Sequence, residues 1–155
     1  MQTKRDVSGD AVTELILKTF TFHGLLGAAG DELTKPWGLS SARWKVLGAI
    51  ALADRSLHVA QIARNMGLTR QAVQRIVNDL VDSGLLEFRD NPDHLRARLV
   101  GVTRQGEKVF GEVMEEQARW SNELAEGIDL QTLESAARVL ATLCERLEQN
   151  RKRKN

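Results

Sequence analysis

Cysteine occurs once, tyrosine never and proline twice in the 155 residues, and aromatics make up only 5%. The lone thiol, Cys144, excludes an internal disulfide and a thiolate-built zinc site, and that scarcity fits a reducing compartment. No apolar run approaches the about 20 residues needed to cross a bilayer. Residues 1–10 are polar and lack the apolar centre of a secretory signal. A cytoplasmic chain with no membrane partner is expected. The histidines His23, His58 and His94 are scattered, and no pair of ligand types stands at metal-binding spacing, so no metal is expected. A phosphate loop, a nucleophile with its base and a close carboxylate pair are all missing as well. Asp79 and Asp82 read as surface charges, and neither enzymatic activity nor a cofactor is expected.

A dominant charge is also lacking: 22 Lys and Arg stand against 21 Asp and Glu. Divided along the chain the balance is uneven. Residues 55–108 carry nine cations against six anions, residues 109–148 three against nine, and residues 149–155 four against none. The middle and the extreme C-terminus suit a polyanionic partner, whereas the acidic stretch between them does not. Hydrophobic residues at 42% and charged residues at 28% are ordinary for a folded protein, and the length suits a single domain over 1–155.

What is present is mostly helical periodicity. From Asp10 to Lys35 the residues Val12, Leu15, Ile16, Phe20, Phe22, Leu25, Leu26, Ala29 and Leu33 recur at helical spacing, spread too widely for one stripe. A helix of this kind in a short chain needs a second subunit to cover it, and Pro36 ends it. Ser40 or Ser41 caps a second helix with Trp44, Leu47, Ile50 and Ala51 on one face. Val59, Ile62, Ala63 and Met66 mark a two-turn third helix closed by Gly67. Thr69 caps a fourth, running to about Ser83, with Ala72, Val73, Ile76, Val77 and Leu80 inward and Gly84 as its stop. Alternation at Leu86/Phe88 and Val100/Val102 around Asn91-Pro92 predicts a two-stranded hairpin with a long tip. Thr103 then caps a long fifth helix. In the last helix, begun near Asp129, Leu133, Ala136, Ala137, Leu140, Leu143, Cys144 and Leu147 form a seam suited to helix–helix association. The basic tail, 151–155, reads as a disordered, solvated end.

The fourth helix carries the chemistry. Arg70, Gln71, Gln74, Arg75 and Asn78 share the side opposite its apolar positions. Arginine can bond guanine O6 and N7 in bidentate fashion and glutamine adenine N6 and N7, as a major-groove reader requires. Thr69 stands where a helix N-terminus can hold a phosphate. Arg89, Arg96 and Arg98 put further cations on the hairpin, and a flexible tip bearing Arg96 can reach a minor groove. Two helices joined at Gly67 and followed by a basic hairpin form a winged helix-turn-helix over 39–103. A solvated helix face without a partner is the plainer reading, and the turn and wing arginines together count against it. The expected fold is mainly α with a small β-hairpin wing, a winged helix-turn-helix plus a helical dimerisation region over 10–36 and 104–150.

Four segments resemble the MarR family in order and spacing. They are Gly38 to Leu47, Ile62 to Val73, Asn91 to Val100, and Val102 to Gly106. The resemblance implies a homodimer built from the first and last helices, through Val12, Leu15, Ile16, Leu133, Leu140, Leu143 and Leu147. It further implies a double-stranded, pseudo-palindromic DNA operator, and repression relieved by a small aromatic or apolar effector. For that effector Phe20, His23, Trp37 and Trp44 are the pocket candidates. For Trp44 and His23 plain packing is the favoured reading, whereas Trp37 suits either role. Where many family members carry an aspartate two positions before the wing arginine, this chain has His94, with Asp93 one residue earlier as a substitute. The redox-sensing branch places a cysteine and tyrosines near the first helix, and this chain has neither there. A winged-helix module that docks on another protein, by the same face or by the acidic helix around Glu112 to Glu126, is the alternative.

Overall fold

The computed structural model describes residues 5–53, 55–92 and 97–154. The wing-tip candidate Arg96, with Asp93 and His94, lies outside the described residues.

The first helix, α1 (Val7–Thr34), begins earlier than its apolar pattern suggests because the Asp6 carboxylate accepts the Gly9 N–H at 2.7 Å. An N-terminal cap of this kind satisfies an amide that the helix itself leaves unpaired. At the other end the buried Thr34 hydroxyl reaches the carbonyl oxygens of Gly30 at 2.7 Å and Leu39 at 2.9 Å. Pro36 does not simply end the helical path. Lys35–Trp37 form a 3-10 turn with the proline near its start, where no N–H is required.

Ser40 caps α2 (Ser41–Ala51), accepting the Arg43 N–H at 3.3 Å, and Asp31 of α1 accepts the Ser41 N–H at 2.7 Å. A short strand, β1 (Leu57–His58), leads into α3 (Val59–Met66), and the Gln61 side chain accepts the His58 N–H at 3.0 Å. At Gly67 the chain turns with φ 65°, a conformation that strains any residue with a Cβ. Thr69 caps α4 (Arg70–Asp82), after which β2 (Leu86–Arg89) and β3 (Leu99–Val102) pair antiparallel. The expected two-stranded hairpin is in fact the larger part of a three-stranded sheet. β1 adds to β3 with Leu57 opposite Val100, in the order β1-β3-β2.

The core gathers Val46, Leu47 and Ile50 of α2, Ile62 of α3, Val73, Val77 and Leu80 of α4, Leu86 and Val100 of the sheet, and Val109 and Val113 of α5 (Arg104–Ala125). Each fully buried aliphatic side chain contributes about 1.5–3 kcal/mol by leaving water. Ala72, expected inward, is exposed on the flank of α4, where a methyl group offers little area to bury.

Contacts divide the chain into two units, one running up to Glu116 and the other from Gln117. The second holds the end of α5 and α6 (Leu130–Lys154). Asp129 caps α6, accepting the Thr132 N–H at 2.9 Å, and the Thr132 hydrogen bonds hold its carboxyl below the usual range. The basic segment Arg151–Lys154, expected to be disordered, continues α6 as exposed helix. Four cations in the last turn complement the carbonyl end of the helix dipole. Among the described residues no helix is long and apolar enough to cross a membrane.

The α5 start is fixed by contact. A Cβ added at Gly106 would lie 2.0 Å from the Leu85 carbonyl oxygen, and the Thr103 hydroxyl accepts the Gly106 N–H at 3.0 Å. Gly106→Ala should therefore lower stability by about 1–3 kcal/mol, measured as a fall in the urea unfolding midpoint. An unchanged midpoint would mean that α5 shifts off Leu85 without cost.

Candidate nucleic-acid interface

The polar face of α4 is set by the burial of the other. Val73, Val77 and Leu80 have no exposed area, which turns Arg70, Gln71, Arg75 and Asn78 into solvent and leaves Gln74 half-buried. The five expected readers on α4 therefore share one side of a rigid helix. Thr69 lies just before them, its hydroxyl accepting the Ala72 N–H at 3.2 Å. The remaining amides of this helix start and its positive dipole end are the kind of feature that favours an anion.

Three features of this surface escaped the sequence. Gln74 donates from Nε2 to Asn78 Oδ1 at 2.9 Å, so two of the readers bond each other one turn apart. Arg43 of α2 pairs with Asp79 of α4 at 3.0 Å, which removes Asp79 from the inert surface charges. Arg98, expected to reach DNA, lies over the Phe88 ring at 4.7 Å from its centroid, an orientation that braces the guanidinium while leaving the residue exposed. The neck of the wing is closed by buried Asn91, whose side-chain amide donates to the Ala97 carbonyl at 2.8 Å. Asn91-Pro92 signalled a turn, but nothing in the sequence alone identified this cross-neck bond.

The pocket candidates are dispersed. Phe20 and His23 are exposed on α1, with Phe20 at 70%. Trp44 packs at the edge of the core, as does Trp37, whose indole N–H donates to Glu112 Oε2 at 2.8 Å. None of the four lines either of two clefts. One, of about 310 Å³, lies among Ile50, Arg55, Arg89, Glu107 and Phe110. The other, of about 390 Å³, lies among Gly27, Asp31, Lys45, Met66, Leu68 and Ile76. Among the described residues no group of His, Cys, Asp or Glu is placed to hold a metal.

A helix-turn-helix backed by a three-stranded sheet makes the first unit a winged-helix protein. The model of the MarR family matches residues 37–97. An uncharacterized protein of Mycobacterium tuberculosis H37Rv, Rv2011c, is 38% identical over 126 residues, covering 81% of this chain and 87% of that one. The chain belongs to the MarR family. Solved structures that share its fold include two with a bound partner. An Escherichia coli MarR mutant complexed with operator DNA superposes with a TM-score of 0.78 at 18% identity, covering 90% of this chain and 99% of that one. CouR from Rhodococcus jostii RHA1, bound to p-coumaroyl-CoA, gives 0.72 at 19% identity, covering 90% and 95%.

Thr69→Ala removes the α4 cap and should cost about 1 kcal/mol of stability in thermal or urea unfolding. Thr69→Ser, which keeps the hydroxyl, should retain most of it. Equal loss in both variants would show that the methyl group rather than the cap matters.

Proposed function

We propose that this chain is a sequence-specific, double-stranded DNA-binding transcriptional regulator, a repressor that binds a pseudo-palindromic operator as a homodimer. The observation that carries the reading is the α4 face. Arg70, Gln71, Gln74, Arg75 and Asn78 stand together opposite a fully buried apolar side, behind an N-terminus capped by Thr69. The guanidinium and amide groups match the acceptor and donor edges of guanine and adenine in the major groove. Arg98 and Arg96 of the wing supply flanking contacts, with Arg98 held against Phe88. The operator complex of the E. coli MarR mutant supports the same use of this fold.

Dimerisation is supported by what each unit leaves uncovered. On α1, Val12, Ile16, Leu17, Phe20, Phe22 and Leu25 are exposed, while Leu15 is half-buried. On α6 no residue is buried, and Leu133, Leu140 and Leu147 are exposed beside half-buried Leu143. Apolar faces of this extent are normally covered by protein, and a second copy covers both sets in a symmetric assembly. Two such lobes then address half-sites about one helical turn of DNA apart. Release by a small aromatic or apolar effector is the further element of the reading. It rests on the ligand-bound CouR and on the presence of clefts in the winged-helix unit, whereas Phe20, His23, Trp37 and Trp44 remain scattered candidates.

The test is fluorescence anisotropy of the full chain against duplex DNA from its own upstream region, beside a scrambled duplex at the same salt. A preference of about a thousandfold or more identifies a specific regulator. Weak, equal binding removes this duplex as the operator, and no binding favours a protein-docking role for the same face. With a selected operator, Arg70→Ala or Arg75→Ala should each cost about 1–3 kcal/mol and relax preference at one base pair. Uniform weakening across sequences would assign that arginine to the phosphates instead.

A further inference from the structure

Asp79 is an anion on the helix that is read here as facing DNA, and its surroundings on α4 are unfavourable to it. The residues one turn away are Arg75 and Ile76 before it and Asp82 and Ser83 after it. The single cation among them is Arg75, at the i, i+4 spacing that brings side chains together on a helix surface. An Asp79 without another partner would take Arg75, and it would do so more readily because Asp82 adds negative charge next to it. The structure shows a different pairing. The Asp79 carboxylate meets the guanidinium of Arg43 at 3.0 Å, with the two side chains 37% and 40% exposed. Arg43 reaches it from the first turn of α2, where Ser40 holds its backbone amide. The Arg75 side chain is left exposed, with no ion pair or hydrogen bond among the described residues.

We infer that Arg43 is a positioning residue for DNA recognition: by holding Asp79 across the α2–α4 contact, it keeps Arg75 free and masks a carboxylate that would face phosphate. The inference rests on the reading of α4 as the DNA-reading helix. An ion pair this exposed adds little to stability by itself. Its effect lies in which arginine the carboxylate takes. Arg43 leaves Asp79 with a partner that the DNA does not need, and Arg75 is the cation that would otherwise be lost. Asp79 in turn keeps Arg43 from adding an unspecific cation beside the readers.

The experiment compares the full-length wild type with R43Q, D79N and R43Q/D79N, by anisotropy against a duplex that the wild type selects from a random pool, at fixed salt. R43Q should weaken binding about three- to tenfold, and the double variant should return to within about twofold of D79N. A double variant as weak as R43Q overturns the inference, since Arg43 then acts through packing or touches DNA itself. Unchanged binding by R43Q overturns it as well. A second readout needs no DNA. A double-mutant cycle between Arg75 and Asp79, followed by urea unfolding, should give no coupling with Arg43 present and a measurable coupling in the R43Q background. If the wild type selects no duplex, the regulator reading fails, and the cycle still decides the pairing: absence of coupling in both backgrounds rejects it.

Discussion

The rotation of α4 about its own axis is the constraint on which the rest of the winged-helix unit depends. Val73, Val77 and Leu80 are sealed completely, as are Val46 and Leu47 of α2 in the same core. A helix turned by one residue, about 100°, would bring Gln74 or Asn78 into an interior that offers no partners. Burying an unsatisfied amide costs about 1–3 kcal/mol, and removing a valine from the core loses a comparable amount. Packing alone thus fixes which side chains face outward. The polar face has its geometry because the apolar one has no alternative.

The wing depends on the same core. Leu85 and Leu86 follow the end of α4 and are buried, and the Leu85 carbonyl is where α5 is seated through Gly106. The Thr103 hydroxyl lies 2.6 Å from the Gly84 carbonyl oxygen and 3.2 Å from that of Leu85, so one side chain joins the end of β3, the turn after α4 and the start of α5. Val100 seals the inner side of β3 while facing Leu57 of β1 and Phe88 of β2 across the strands. Arg98 then takes the Phe88 ring as its support. The wing's described base is therefore an extension of the core rather than a loose appendage.

Helices with a strong apolar period were legible from the sequence. Ile62, Ala63 and Met66 for α3, and Val73, Val77 and Leu80 for α4, state both the helix and its core-facing side, while Gly67 marks the end of α3 and Thr69 the start of α4. β1 was not legible, because two residues contain no period and Leu57 finds its reason only in Val100, distant along the chain. Asp6 gives no signal as a cap in the sequence because the apolar pattern starts after it. The basic segment after Asn150 lacks apolar residues, yet α6 runs through it, since charge at that end agrees with the helix dipole. Of the candidate interface, the residues on α4 were readable and the bonds among them were not. Periodicity identifies a face, whereas Gln74 with Asn78 and Arg43 with Asp79 depend on rotamers and on packing between helices.

Those bonds also bear on how a sequence would be read. Asn78 Oδ1 accepts one N–H of the Gln74 amide, which fixes how the two amides are turned while leaving a lone pair of Oδ1 and the remaining amide N–H groups open. In a major groove, a base edge that failed to match this preset pattern would leave an amide unpaired, at a cost of about 1–3 kcal/mol. Among the described residues the Arg75 guanidinium has no ion pair or hydrogen bond to give up. On the proposed reading of this face, affinity would rest with the arginines and selectivity with the Gln74–Asn78 pair, while one α4 carboxylate, Asp79, is held by a residue of another helix.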